Sequence, residues 1–291
     1  MNYTIRNSFL TVTVSSHGGE LQSIKTPNDR EYLWQGEEAT WPDRAPNLFP
    51  YIARLTEGKY TYRGLQYHLD IHGFLKDTEL ICSAHDENSL VLSMKSSEFT
   101  KKQYPFLFFL SISYKLDQDV LHISYLIENK DTKTMFFGLG GHPGFCVPFE
   151  EGRKFEDYEL HFEPDSAPKQ LLFTEDCFVT ERERDFVLHE DHTLPLTHEM
   201  FDNDAIILRN AGKKITLCSP NSSHFVTVDF ADFPYLGLWH FPKTPVEYLC
   251  IEPWCSLPSR KDVIEDLEEQ KNLISLPAKE SCKKEFCIRI Q

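Results

Sequence analysis

The chain has 291 residues, enough for two ordinary domains or one large all-β unit. Its formal net charge of −15 sets it against nucleic acid and anionic membranes, which select basic surfaces. Eight cysteines at this length are not a small disulfide scaffold, and neither Cys250/Cys255 nor Cys282/Cys287 has the spacing of a CxxC redox motif or a zinc knuckle.

The opening stretch MNYTIRNSFLTVTVSS lacks the charged head, continuous apolar core and cleavage site of a signal peptide. Alternation predicts a strand over Phe9–Val14, and His17-Gly18-Gly19 turns the chain into another over Leu21–Ile24. After the turn residues Thr26-Pro27-Asn28-Asp29 comes a short run, Tyr32 to Trp34. Three prolines (Pro42, Pro46, Pro50) among aromatics make 41–50 an ordered loop, not a helix. Residues 58–71 read as two short strands around Arg63-Gly64, delivering His72-Gly73-Phe74.

Further strands are expected over Ser89–Met94, Phe106–Tyr114 and Val120–Ile127, the last two joined as a hairpin through 116–119. The longest apolar run, Phe106 to Leu110, is far short of the roughly 20 residues that span a bilayer. Beyond it come Met135–Phe137 and strand patterns at Tyr158–Phe162, Gln170–Phe173, Phe186–Leu188, Ala205–Leu208, Ile215–Cys218, His224–Phe230 and Tyr235–His240. Another runs into Glu252, and CIRIQ closes the chain. Only Arg260–Gln270 reads as helix: its charges are dense, and Val263, Ile264 and Leu267 sit at helical spacing. With no repeat or linker, residues 1–291 are expected to form a single all-β domain of two packed antiparallel sheets with one or two short helices. A soluble cytoplasmic protein, monomer or homodimer, follows as the expectation.

Two positions carry the chemistry. MFFGLGGHPGF (135–145) ends an apolar run in three glycines, then His142 before a proline, which holds the histidine extended. VEYLCIEPW (246–254) ends a second apolar run on Glu252, again before a proline. On a strand Val246, Tyr248, Cys250 and Glu252 share one face, so the carboxylate points inward, where desolvation raises its pKa toward that of a general base. One imidazole and one carboxylate at strand ends form a candidate acid/base pair. The competing readings are a structural histidine and a carboxylate pinned by an arginine such as Arg54. His72, after an apolar strand and before a glycine, repeats the logic of His142, and Arg54, in PYIAR, is a candidate to bind a sugar hydroxyl or a carboxylate or to cap a strand edge; both signals are weaker. No GxSxG, P-loop, dinucleotide glycine pattern or HExxH is present.

Taken in order, YLWQG (32–36), W-x4-P-x-LFP (41–50), Arg54, Gly58 with Tyr60, HGF (72–74), YPF (104–106), GLGGHPGF (138–145) and IEPW (251–254) resemble the aldose 1-epimerase (galactose mutarotase-like) family, and within it the LacX-like subgroup. The resemblance implies a β-supersandwich of the galactose-mutarotase type and catalysis on a small sugar with no cofactor or metal. By motif position it makes Glu252 the base and His142 the acid, with Arg54 and His72 binding hydroxyls. It also implies a binding aspartate, Asp204 or less cleanly Asp202, and Trp254 and Phe74 are expected to pack on the sugar ring. After Trp254 the chain reads CSLPSR where many relatives carry a Gly-x-Pro-Asp run. Two rivals remain: a hexose-6-phosphate 1-epimerase, with Lys76, Arg44 or Arg260 for the phosphate, and a non-catalytic carbohydrate-binding protein on the same fold.

Overall fold

A computed structural model describes residues 1–220 and 222–291. Two large antiparallel sheets make the body. The first has nine strands, in spatial order Thr193–Pro195, Glu159–Phe162, Lys214–Cys218, Phe225–Asp229, Ser281–Ile290, Val120–Asn129, Phe108–Asp117, Ser89–Lys95 and Ile81–His85. The second runs Val179–Asp185, Lys169–Phe173, Ile206–Arg209, Tyr235–Trp239, Tyr248–Trp254, Gly140–Gly141 and Asn47–Leu48, with Gly144–Cys146 also paired to Tyr248–Trp254. The expected hairpin is present, Val120 opposing Asp117.

Period-two patterning decides which faces meet. Along Val120–Asn129 every second residue is buried (Leu121, Ile123, Tyr125, Ile127), facing Leu249, Ile251, Leu236 and Leu238 of the second sheet in one apolar cluster. Asn47 stitches the layers together: the hydroxyl of Tyr125 donates to its Oδ1 at 2.6 Å, and its Nδ2 donates to the hydroxyl of Tyr114 at 3.2 Å and to the carbonyls of Gly18 and Gly19. A buried amide so well satisfied fixes the mutual position of the sheets, its hydrogen bonds offsetting the cost of desolvation.

Two local expectations fail. Arg260–Gln270 is not a helix. Arg260 bonds Glu265 through Nε and Nη2 at 3.0 and 2.9 Å, Asp262 has φ 58°, and Glu265–Asp266 pairs in parallel with Tyr60 and Thr61. The dense charges close a turn, and Leu267 is buried beneath the adjoining strand, so tertiary contacts override the spacing. The α-helix among the described residues is Glu98–Gln103, started by a capping box between Ser97 and Thr100. Phe186–Leu188 lies outside any strand, while the charged run Val179–Asp185 forms the sheet edge, where exposed charges discourage further pairing. No helix among the described residues is long and apolar enough to cross a membrane, and the eight cysteines are free thiols.

Candidate active site

All seven residues of Tyr248–Trp254 are buried, because both faces of this central strand are covered. Leu249 and Ile251 point into the inter-sheet core; Tyr248, Cys250, Glu252 and Trp254 point the other way. On that second face Tyr248 and Cys250 pack in an apolar cluster with Trp41 and Val246, while Glu252 and Trp254 line a cavity of about 310 Å³, near the lower end for small-molecule sites and suited to one sugar ring. Across the strand pair Glu252 faces Gly237, where a Cβ would stand 3.2 Å from that of Glu252.

His142 arrives from the neighbouring edge. Gly140 pairs on one side with Trp254 and on the other with Leu48, and the His142 amide donates to the Pro46 carbonyl at 3.0 Å. The glycines before it serve close approach. A Cβ on Gly140 would lie 2.8 Å from the Pro253 carbonyl oxygen, and one on Gly141 would lie 2.9 Å from the Phe286 ring. The result brings His142 Nε2 to 3.3 Å from Glu252 Oε2, the oxygen that also accepts the Trp254 indole N–H at 3.1 Å.

Burial governs the protonation of both groups. It pushes the Glu252 carboxyl well above its usual range, a rise opposed by the Trp254 hydrogen bond and reinforced by Asp204. It pulls the His142 imidazole down to about 4. Burial thus disfavours the charged form of each group, the carboxylate of Glu252 and the imidazolium of His142. The His142 ring is clamped by Trp41 (centroids 4.9 Å, 31°), by the edge of Trp239 (5.5 Å, 83°) and by His72 (5.6 Å, 84°).

His72 has φ 66° and exchanges two hydrogen bonds with Ala53: its amide donates to the Ala53 carbonyl at 2.9 Å, and the Ala53 amide donates to Nδ1 at 3.1 Å. Nδ1 is therefore bare. Burial, with His142, Lys76 and Arg54 nearby, holds the ring neutral, so Nε2 carries the hydrogen and is available to a hydroxyl. Arg54 makes no ion pair with Glu252; its Nε is buried without a partner beside the cavity. Asp204 lines the cavity at φ 73°, accepting the Ala205 amide on Oδ1 at 2.8 Å and the Cys177 thiol on Oδ2 at 2.9 Å. Asp202 instead caps the short helical turn His198–Phe201.

The cavity thus gathers His142, Glu252, Arg54, His72, Asp204 and Trp254. Phe74 is the exception. It is 5% exposed and packs against Phe49, Tyr104 and Phe108, because the turn at Gly73 (φ 73°) sends the histidine to the cavity and the phenylalanine to the core. Trp41, Trp239 and Cys177 also line the wall; Trp41 belongs to the W-x4-P-x-LFP motif, whereas nothing local in the sequence marks the other two. Of the three cations considered for a phosphate, Lys76 alone reaches the cavity, and it pairs with Asp77 at 2.9 Å. Arg44 bonds Gln22 and Gln35, and Arg260 bonds Glu265. The donor atoms of His142, Cys250 and Glu252 lie within 4.8 Å of one another, but burial raises the Cys250 thiol, and His142 and Glu252 already engage each other.

The fold and site together define a two-layer β-sandwich with a buried histidine–carboxylate pair on the outer face of one sheet. Residues 1–271 match the sequence model of the aldose 1-epimerase family, and the chain belongs to that family. It is 33% identical over 299 residues to the plasmid-encoded protein LacX of Lactococcus lactis subsp. lactis, covering 100% of this chain and 99% of that protein. A galactose mutarotase related enzyme from Lactobacillus acidophilus superposes with a TM-score of 0.95 at 32% identity, covering 100% of this chain and 97% of the other. A galactose mutarotase-like protein from Lactobacillus casei gives 0.94 at 29%, with complete coverage of both chains.

Proposed function

We propose that the protein is an aldose 1-epimerase that interconverts the α and β anomers of a hexose or related aldose, working as one cytoplasmic domain, monomer or homodimer, without metal or cofactor. The observation that carries the reading is the 3.3 Å approach of His142 Nε2 to Glu252 Oε2 inside a sugar-sized cavity. Mutarotation exchanges protons at two oxygens bonded to the same carbon, the anomeric hydroxyl and the ring oxygen. A base and an acid that are near neighbours match that demand.

The reactive form of the pair is the ionised one, with Glu252 a carboxylate and His142 an imidazolium. Glu252 takes the anomeric hydroxyl proton while His142 gives one to the ring oxygen; the C1–O5 bond breaks and C1 becomes an aldehyde. Rotation about C1–C2 presents the other carbonyl face. Closure then returns the proton from Glu252 to the new hydroxyl oxygen and the ring-oxygen proton to His142. Each positioned group contributes about 10²–10⁴-fold. Arg54 Nε, His72 Nε2 and Asp204 hold hydroxyls, and Trp254 offers an apolar face. A polarimetric assay across free and 6-phosphorylated aldoses tests the reading: acceleration over buffer for at least one free aldose supports it. Sugar binding without acceleration for any sugar replaces it with a binding protein, and activity confined to phosphorylated sugars replaces it with a sugar-phosphate epimerase.

A further inference from the structure

A second cluster lies far from this cavity in the fold, on the nine-stranded sheet. Glu285 and Cys287 are two apart on Ser281–Ile290, so they share its outer face, and His122 stands directly opposite Cys287 on the neighbouring strand. Their donor atoms converge. His122 Nδ1 is 3.2 Å from Glu285 Oε1 and 3.2 Å from Cys287 Sγ, and Sγ is 3.9 Å from that same Oε1.

Hydrogen bonding alone serves this triangle poorly. If Nδ1 carries a hydrogen it donates to the carboxylate, and the thiol keeps only a long contact. If Nδ1 is bare it accepts from the thiol and turns a lone pair toward the carboxylate. One cation at the centre satisfies all three. Tetrahedral zinc, with bonds of about 2.0–2.3 Å to N, O and S, separates its ligands by roughly 3.3–3.6 Å, within a few tenths of an ångström of the observed edges. We propose that His122, Glu285 and Cys287 form a three-ligand site for a borderline-soft divalent cation of the zinc type, with a fourth position open to solvent.

The surroundings suit that role. Ser124 Oγ donates to Glu285 Oε2, holding the carboxylate so that Oε1 faces the other two donors. Lys283 Nζ is 3.6 Å from Oε2 and opposes a cation, but it sits on the oxygen turned away from the triangle. The Glu285 amide donates to Asp232 Oδ2 at 2.9 Å, fixing the backbone. His122 and Glu285 are each about one-third exposed and open into a groove with Ser111 and Ser113, leaving room for a water or small anion as fourth ligand. On binding, the thiol proton passes to solvent and sulfur becomes a thiolate ligand.

The test uses the full chain, titrated with Co²⁺ as a spectroscopic probe and then with Zn²⁺ as competitor. One Co²⁺ per chain with a thiolate-to-cobalt charge-transfer band, displaced by Zn²⁺, is expected. Cys287→Ser should abolish the band, and His122→Ala should weaken binding by about tenfold or more. Zn²⁺ should raise the melting temperature of the wild type but not of Cys287→Ser, which also reports that the variant is folded. Absence of the band overturns the proposal. A band that survives Cys287→Ser but is lost in Cys250→Ser also overturns it, moving the metal to the cavity beside His142.

Discussion

Glu252 and His142 are held against their ordinary preferences: the carboxyl is pushed up and the imidazole down to about 4, both by burial. The competent form carries one proton on the pair. Acid adds a second and removes the base; alkali removes the only one and with it the acid. A bell-shaped kcat profile is therefore expected, its limbs belonging to the pair and not to either residue. A profile that only rises or only falls from pH 4 to 10 would contradict a two-group mechanism. Arg54 has a different task. Its buried, unpartnered Nε gains a hydrogen bond only when a sugar arrives, so Arg54→Ala should raise KM for the best sugar about tenfold, in line with about 1.5 kcal/mol for a charge-assisted hydrogen bond. Unchanged KM and kcat would remove that role.

At the scale of elements, the site depends on three strands meeting side by side: Asn47–Leu48, Gly140–Gly141 and Tyr248–Trp254. Gly140 is a stiff joint among them, since the nearest atom a side chain there meets is the backbone carbonyl oxygen of Pro253. Gly140→Ala should cost about 1–3 kcal/mol by overpacking and lower mutarotation as well, because the strands bearing acid and base are forced apart. Denaturant melts and rates measured together check this; a stable, fully active variant would show that the joint is slack. Most of these elements were legible because half-buried strands alternate. What was not legible depended on distant partners. Val179–Asp185 reads as a solvated charge run until one sees that it is a sheet edge, and the helix-like spacing at 263–267 yields to the pairing of Glu265 with Tyr60. The Ser97–Thr100 capping box is a local signal for a six-residue helix too short to show periodicity.

For the molecule as a whole, burial of neutral histidines has a cost that appears in acid. His142 and His240 are both drawn from 6.5 to about 4 by burial. Between those values the unfolded chain binds protons that the folded chain refuses, so stability is lost as pH falls from about 6.5 to about 4. Glu252, shifted upward, acts in the opposite sense with a single proton. Melts at pH 7 and 4.5 should show the native state weaker in acid, with His142→Asn losing part of that dependence; a fully buried histidine accounts for on the order of 3 kcal/mol over the range. An unchanged dependence in the variant would mean that His142 is not buried neutral. The same burial explains how far the site could be read in sequence. Glu252 and His142 stand out because charge and imidazole interrupt apolar runs before prolines. Trp239 and Cys177 join the wall only through folding, and Phe74 leaves it because one left-handed glycine reverses its direction. His122 and Cys287, 165 positions apart, carry no motif and meet only through strand register.

The most direct test of the acid/base account compares wild type with Glu252→Gln in a polarimetric mutarotation assay, alongside sugar binding by calorimetry. The substitution keeps the shape and the Trp254 hydrogen bond but cannot accept a proton. Binding should persist while turnover falls by about 10²-fold or more. A Glu252→Gln protein that binds sugar and turns it over at the wild-type rate would place the catalytic base elsewhere and contradict the account.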